Sequence, residues 1–318
     1  MLKERQGGNV GETKRTVNPG AEAWLGEVIP VLDHGFVRLV DYMGDDESIE
    51  QAARVSYGEG TRRVSETRGL IRYLRRHAHT TPFEMVEFKF HAKMPIFVAR
   101  QWIRHRTASV NEYSARYSKV PDEFYIPNVG VIGAQSKNNK QGRDDVFDAV
   151  QAEEVRQLLI ADALRNYGHY EYMLNDDGEG NPVDSGRPML ARELARMDLT
   201  LNSYTQWYWK VDLHNLFHFL RLRMDSHAQY EIRVYADAMG RIVRDSMPIA
   251  WDAFEDYELF SVKFTRPELE VLKALLQQCN FKASKADILT TARETGLTNR
   301  RERDELLEKL DNLGFVGE

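Results

Sequence analysis

Two stretches of the chain alternate apolar and polar side chains at period two, Phe36 to Val40 and Glu87 to Lys93 (EFKFHAK), as half-buried strands do. Most of the remaining pattern is helical. Ser48 to Tyr57 and Val64 to His77 carry apolar residues at helical spacing, Leu70, Ile71 and Leu74 making one stripe. Pro95 suits the first turn of a helix that runs through Trp102 to about His105. Asp145 to Tyr172, Glu193 to Tyr208, Leu213 to Met224 and Gln229 to Val243 also read as helices. The pattern predicts an α+β fold, a helix-rich catalytic-sized body around a modest twisted sheet.

Gly130 to Arg143 and Asn175 to Pro188 are dense in Gly, Asn, Ser and Asp and read as surface loops. No Gly-Lys-Ser/Thr follows the glycines of the second loop, so it lacks the form of a phosphate cradle. Three segments follow: a polar, Gly-rich flexible tail over 1–25, a body over 26–260, and a small helical module over 261–318. That module reads as three short helices and a final apolar turn.

Bulk composition narrows the function classes. With 318 residues, 42% hydrophobic, the chain can bury one substantial core. A formal net charge of -6 argues against general attraction to nucleic acid or to anionic membrane, leaving local basic clefts as the places for phosphate. The single cysteine, Cys279, excludes an internal disulfide and suits a reducing compartment, the cytoplasm. No stretch is long and apolar enough to span a bilayer.

Polar function concentrates in Gln101 to Tyr117, QWIRHRTASVNEYSARY. On a helix continued to Arg104, Gln101 and Arg104 share a face, with His105 one turn beyond Gln101. Arg104 and Arg106 flank that histidine with planar donors suited to phosphate or pyrophosphate. An extended backbone would aim Glu112, Ser114 and Arg116 to one side, away from Tyr113, Ala115 and Tyr117. Such a set can grip a nucleotide; a solvated strand end with paired charges is the bland alternative.

The spaced motif Arg104-His105-Arg106, followed after seven residues by Ser114, resembles the signature of the flavin-dependent thymidylate synthases. HAHTTPFE from His77, FHAKMPIFVARQWIRHR, and RMDSHAQYEIRVYA from Arg223 extend the resemblance over roughly residues 28–260. It implies reductive methylation of dUMP to dTMP with FAD, NADPH and 5,10-methylenetetrahydrofolate, and a homotetramer whose active sites draw on several subunits. By the same resemblance the flavin site takes Ser56, His79, Arg104, His105, Arg106 and Glu112. Asp212, His214 and His218 join it where the family often has asparagine or arginine. The dUMP site takes Gln101, Arg104, Glu112, Tyr113, Ser114, Ala115, Arg116, Arg196 and Arg223. Arg223 falls where the family polarises the pyrimidine near N3, and Ser114 is assigned to positioning the substrate.

Other readings compete. His214 and His218, four apart, have metal-ligand spacing, but the glutamate of a His-Glu-x-x-His site is missing, and no metal is expected. If DLHNLFHFLRLR is one helix, Asp212 and Arg223 share a face and the two histidines lie roughly opposite. Tyr204, Trp207, Tyr208 and Trp209 suit core packing on a helix, or stacking on a flavin or folate ring. Arg72, Arg75 and Arg76 suit a solvated helix face. Residues 261–318 resemble a winged helix-turn-helix that would present Arg300, Arg301 and Arg303 to DNA. Ten basic and ten acidic residues balance there, however, and phosphate binding favours a positive excess. Cys279 lies outside the matched region with no base beside it, so a cysteine-thiolate route is not expected. A flavin- or nucleotide-binding regulator with the C-terminal module as its output is the alternative function.

Overall fold

A computed structural model describes residues 15–55, 67–137, 142–279 and 281–317. The chain falls into two compact units, Met1–Phe260 and Ser261–Glu318. In the first, a five-stranded antiparallel sheet has the order β1-β2-β3-β7-β4. Its strands are β1 (Val28–Val31), β2 (Gly35–Met43), β3 (Glu87–Pro95), β4 (Ser109–Glu112) and β7 (Tyr204–Asp212). A separate hairpin pairs β5 (Gly133–Gln135) with β6 (Arg143–Val146). The helices are α1 (Pro19–Glu22), α2 (Asp46–Val55), α3 (Thr67–Arg76), α4 (Ile96–Trp102), α5 (Ala149–Leu174), α6 (Arg192–Ala195), α7 (Leu213–Arg223), α8 (Tyr230–Ser246) and α9 (Pro248–Phe254). The fold is α+β.

One sheet face, built from Val37, Leu39, Phe88, Phe90, Ala92, Met94, Trp207, Trp209 and Val211, is buried against α4, α7, α8 and α9 in a continuous core. Strand alternation produces this directly: every second residue of β3 and of the inner part of β7 is apolar and buried. The aromatic run at 204–209 therefore belongs to a central strand, where helical spacing predicts a helix. Phe90 pairs with Trp209 and His91 with Tyr208, so Trp207 and Trp209 face the core while Tyr208 points the other way. Aromatic side chains on a half-buried pleated surface stabilise strand over helix.

Four other expectations change. The flexible tail predicted over 1–25 is built structure from at least Asn18: its side chain is 3% exposed, caps α1 by accepting from Ala21 N and donates to Ser246 O at 2.7 Å. Its first 14 residues lie outside the described residues. Arg72, Arg75 and Arg76 do not form a solvated face, because α3 packs along α9 and the acidic turn Glu255–Leu259. Arg72 pairs with Asp256 at 2.7 Å, Arg75 is buried against Glu258, and Arg76 donates to Tyr257 Oη at 3.3 Å. The helix expected from Asp145 starts four residues later, after β6, where Asp148 accepts from Val150 N and Gln151 N and so fixes the N-cap. The loop expected over 130–143 contains β5 and the start of β6, in part outside the described residues, whereas 175–188 is a loop.

In the second unit are α10 (Arg266–Gln278), α11 (Lys285–Glu294) and α12 (Arg300–Asn312); α11 packs on α12, Ile288, Ala292 and Phe315 are buried, and Ala283 bridges Val316 in parallel. Arg303 is spent locally, its guanidinium donating to the carbonyls of Leu297 and Thr298. Arg300 faces Asp304 at 3.8 Å. Arg300 and Arg303, expected to face DNA, thus engage partners within the unit. No helix among the described residues is long and apolar enough to cross a membrane.

Candidate active site

The site begins where α4 ends. Trp102 is fully buried, stacked on Phe219 at 5.1 Å and set edge-on to Trp207 and Trp209 at 5.4 and 5.3 Å. Burial of an indole, about 150–250 Å² of surface, anchors the helix end firmly. The helix stops there, short of the extension expected to His105. Tight turns carry the chain out instead, Arg104 N donating to Gln101 O at 3.4 Å and His105 N to Trp102 O at 2.9 Å. These turns point Arg104, His105 and Arg106 toward α7.

A cavity of about 360 Å³ lies between them, lined by Arg104, His105, Arg106, Thr107, Trp209, Val211, Asn215, His218, Leu222 and Arg223. Asn215, His218 and Leu222 share one face of α7 at spacings of three and four. Arg223 reaches the same cavity from the last turn, so His218 and Arg223 do not lie on opposite faces as expected. His214 instead turns to Arg75, whose Nη1 lies 3.5 Å from its Nδ1. Asp212 caps α7, accepting from Asn215 N at 2.9 Å and from the Asn215 side chain at 2.8 Å. Both its oxygens are thereby engaged.

Arg223 Nε donates to His105 Nε2 at 3.1 Å. The accepting nitrogen must be unprotonated, which places the ring proton on Nδ1. Burial, with the charge of Arg223 and then His218, pushes His105 down to about 4, so the ring is neutral near pH 7. Burial also lowers His218, aided by Arg221 and His214, and lowers Arg223. Three arginines, two histidines and no carboxylate line the cavity, a donor set that fits phosphate or pyrophosphate, while Trp209, Val211 and Leu222 offer an apolar wall to a ring. Its volume sits at the low end of pockets for drug-sized ligands, roughly 300–1,000 Å³. A whole flavin dinucleotide must extend beyond it.

The remaining expected residues lie outside this lining. Glu112 ends β4 and accepts from Thr205 Oγ1 at 2.7 Å. The extended backbone predicted through Arg116 stops at Tyr113; Tyr117 N and Ser118 N both donate to Ser114 O, closing a turn. That turn sets Ser114 Oγ against Arg116 N at 3.3 Å, tucks Ala115 against the small core of Tyr167, Tyr170 and Leu174, and lays Arg116 over the Tyr117 ring at 5.5 Å. Arg116 and Arg196 are exposed, Arg196 Nε donating to Glu193 O of its own turn at 3.4 Å. His79 follows α3, where His79 N donates to Leu74 O and Ala78 takes φ 55, a left-handed cap after which the exposed histidine ring lies 5.9 Å from that of Tyr73 on α3. Ser56 lies outside the described residues. Gln101 hydrogen-bonds Gln229.

Sequence reasoning missed Thr107, Val211, Asn215 and Leu222 in the cavity wall. Asn215 and Leu222 carry the helical spacing that links them to His218, a signal present once α7 is accepted. Among the described residues no group of three or more His, Cys, Asp or Glu is placed to hold a metal ion.

Comparison with known proteins identifies relatives of the chain. Residues 38–249 match the sequence profile of the thymidylate synthase complementing proteins. The chain is 57% identical over 265 residues to a flavin-dependent thymidylate synthase of Rickettsia bellii, covering 83% of this chain and 90% of that one. A protein of the same description from Ruegeria pomeroyi is 56% identical over 273 residues, covering 86% and 88%. Among solved structures, the UMP/dUMP methylase PolB of Streptomyces cacaoi, bound with 5-Br UMP, superposes with a TM-score of 0.62 at 32% identity, covering 74% of this chain and 99% of that one.

Proposed function

The chain belongs to the flavin-dependent thymidylate synthases, and we propose that its dUMP methylation is run at the basic cavity between Arg104–Arg106 and the last turn of α7. The activity is the conversion of dUMP to dTMP, with FAD, NADPH and 5,10-methylenetetrahydrofolate. FAD, reduced by NADPH, supplies the reducing equivalents that turn the transferred one-carbon unit into a methyl group. The observation that carries the placement is the Arg223–His105 hydrogen bond in the wall of a cavity lined by three arginines and no carboxylate.

Each residue then has a task. Arg223, partly withdrawn from water and held through Nε, directs its terminal nitrogens to negative charge developing on the pyrimidine. Neutral His105 orients it without competing for that anion. Arg104 and Arg106 hold phosphate or pyrophosphate, with His218 beside them. Glu112, Tyr113, Ser114, Ala115, Arg116, Arg196 and Gln101 form the nucleotide site, Ser114 positioning rather than attacking. Ser56, His79, Asp212 and His214 belong to the flavin site. No thiol serves as nucleophile: the lone cysteine, Cys279, is exposed at the end of α10 in the second unit.

Two further features belong to the same reading. Ser114, Arg116 and Arg196 lie off the cavity lining, and α5 exposes Leu158, Leu159 and Leu164 while Leu194 and Met197 are exposed nearby in sequence. Both support a homotetramer whose sites combine residues from several copies, since exposed apolar patches mark association surfaces. A lone, unpaired cysteine supports a cytoplasmic setting. The body over 26–260 is the catalytic part, and 261–318 acts as a packing or interaction module.

The test is the visible spectrum of protein loaded with FAD and desalted, followed anaerobically with NADPH and then assayed for dTMP with dUMP and methylene-folate. Retained flavin that bleaches, with dTMP formed and both lost in Arg104→Ala, supports the placement. Turnover unaffected by Arg104→Ala and Arg223→Ala together would move the site elsewhere.

A further inference from the structure

Glu231 stands in the first turn of α8, 3% exposed, and three donors converge on its carboxylate. Arg143 Nη2, from β6, straddles it at 2.9 Å from Oε1 and 2.6 Å from Oε2. Tyr125 Oη donates to Oε1 at 3.3 Å, and burial together with the Glu231 charge pushes that phenol up, so it keeps its proton. Gln229 Nε2 donates to Oε2 at 2.9 Å. Gln229 Oε1 in turn accepts from Gln101 Nε2.

The direction of this chain follows from chemistry. An ionised carboxylate only accepts, whereas a side-chain amide donates from one end and accepts at the other. Gln229 must therefore turn its NH2 to Glu231 and its oxygen to Gln101. Gln101 must answer with its NH2, because the reverse would set two amide oxygens against each other. What this orientation presents to a ligand is the Gln101 carbonyl, Oε1, as acceptor, beside the second N–H of the same amide. The turn bearing Gln229 is itself held, by Arg233 Nη1 to Ser226 O at 2.9 Å and Ala228 N to Asp225 O at 2.9 Å.

We infer that Glu231 is a positioning residue for the nucleotide: acting through Gln229, it orients the Gln101 amide so that Oε1 meets a hydrogen-bond donor of dUMP, either N3–H or the 3′-hydroxyl. The inference rests on the assignment of Gln101 to the dUMP site. Arg143 and Tyr125 serve the same end by holding the carboxylate, which couples the β5–β6 hairpin to the end of α4.

The test uses FAD-loaded full-length protein and reads dUMP KM, kcat and flavin content. Gln101→Ala, Gln229→Met and Glu231→Gln should each raise the dUMP KM about tenfold, with kcat and flavin content held within about twofold. Gln229→Met leaves the Arg143–Glu231 pair intact and decides the matter if Glu231→Gln folds poorly. Gln101→Glu should lose dUMP binding, and adding Glu231→Gln should restore part of it. An amide at position 231 can donate to Gln229 Oε1, letting Gln229 turn its NH2 toward the new carboxylate. A merely structural Glu231 would give no such rescue and would lower flavin content and kcat as well. If Gln101→Ala raises KM while Gln229→Met and Glu231→Gln leave it unchanged, the relay is wrong and the nucleotide site stands. An unchanged KM in Gln101→Ala would remove Gln101 from the nucleotide site, and the relay with it. An analogue lacking the paired donor, 3-methyl-dUMP or the 2′,3′-dideoxynucleotide, should bind wild type and Gln101→Ala alike, which identifies the donor.

Discussion

Arg223 at the end of α7 and His105 after α4 meet across 3.1 Å, the guanidinium Nε donating to the imidazole Nε2. They are 118 residues apart in sequence. The bond needs the histidine neutral, and burial beside two arginine-rich turns keeps it so. An arginine held by one nitrogen and open at the others suits a site where negative charge appears only as the reaction proceeds.

Arg223→Ala should lower dTMP formation by roughly 100-fold or more, in line with removing a donor aimed at developing charge. Cys279→Ala should leave it within about twofold, since that thiol sits in the second unit with no role in the matched region. Steady-state rates of the two variants check this. Equal losses in both would contradict the assignment of Arg223.

The pH profile of stability should contain two opposing slopes. His105 drops from the usual 6.5 to about 4 on folding, so between those values the unfolded chain binds more protons and stability rises with pH. Asp46 moves the other way, from 3.8 to about 6, because burial outweighs the hydrogen bonds it accepts from Ile249 N and Ala250 N. Over its window the folded chain binds more protons and stability falls as pH rises. His105→Asn should leave the falling slope and Asp46→Asn the rising one. The expected size is up to about 3 kcal/mol for Asp46 and about half that for the more exposed His105. Urea midpoints at several pH values between 4 and 6.5 measure both. Identical profiles in the two variants would refute the opposition.

Arg75→Ala should cost about 3–5 kcal/mol, because it strands the Glu258 carboxylate in a partly buried ion pair. The guanidinium also lies 4.9 Å from the Phe217 ring and 5.2 Å from that of Phe83, so packing is lost with the charge. Denaturant unfolding reports the loss. A cost below about 1 kcal/mol would return α3 to the solvated face that its sequence suggests.

Gly20→Ala tests whether the segment before β1 is part of the fold. A Cβ there would stand 1.9 Å from Asp245 O, and backbone cannot yield cheaply. The expected destabilisation is on the order of 1–3 kcal/mol, as for other overpacked sites. A thermal midpoint equal to wild type would show that α1 is dispensable.

Much of this protein was legible in its sequence because the determining physics is local. Alternation over Glu87–Lys93 and helical spacing over Leu213–Met224 specify β3 and α7, and the spaced Arg104-His105-Arg106 with Ser114 specifies the chemistry through a family pattern. Where several local arrangements are nearly equal, only the tertiary structure decided. The run Tyr204–Trp209 became a strand because β3 and β4 were there to pair with both its edges. The arginines of α3 were drawn inward because the acidic turn at 255–259 lies against them, and Asn18 was buried because Ser246 O offered an acceptor 228 residues away. The meeting of His105, His218 and Arg223 in one cavity, and the polarity imposed on Gln101 by Glu231, are of the same kind. Spacing along a chain can state which side chains share a face, but contact across the fold is set by how faces pack, and no single segment contains that information.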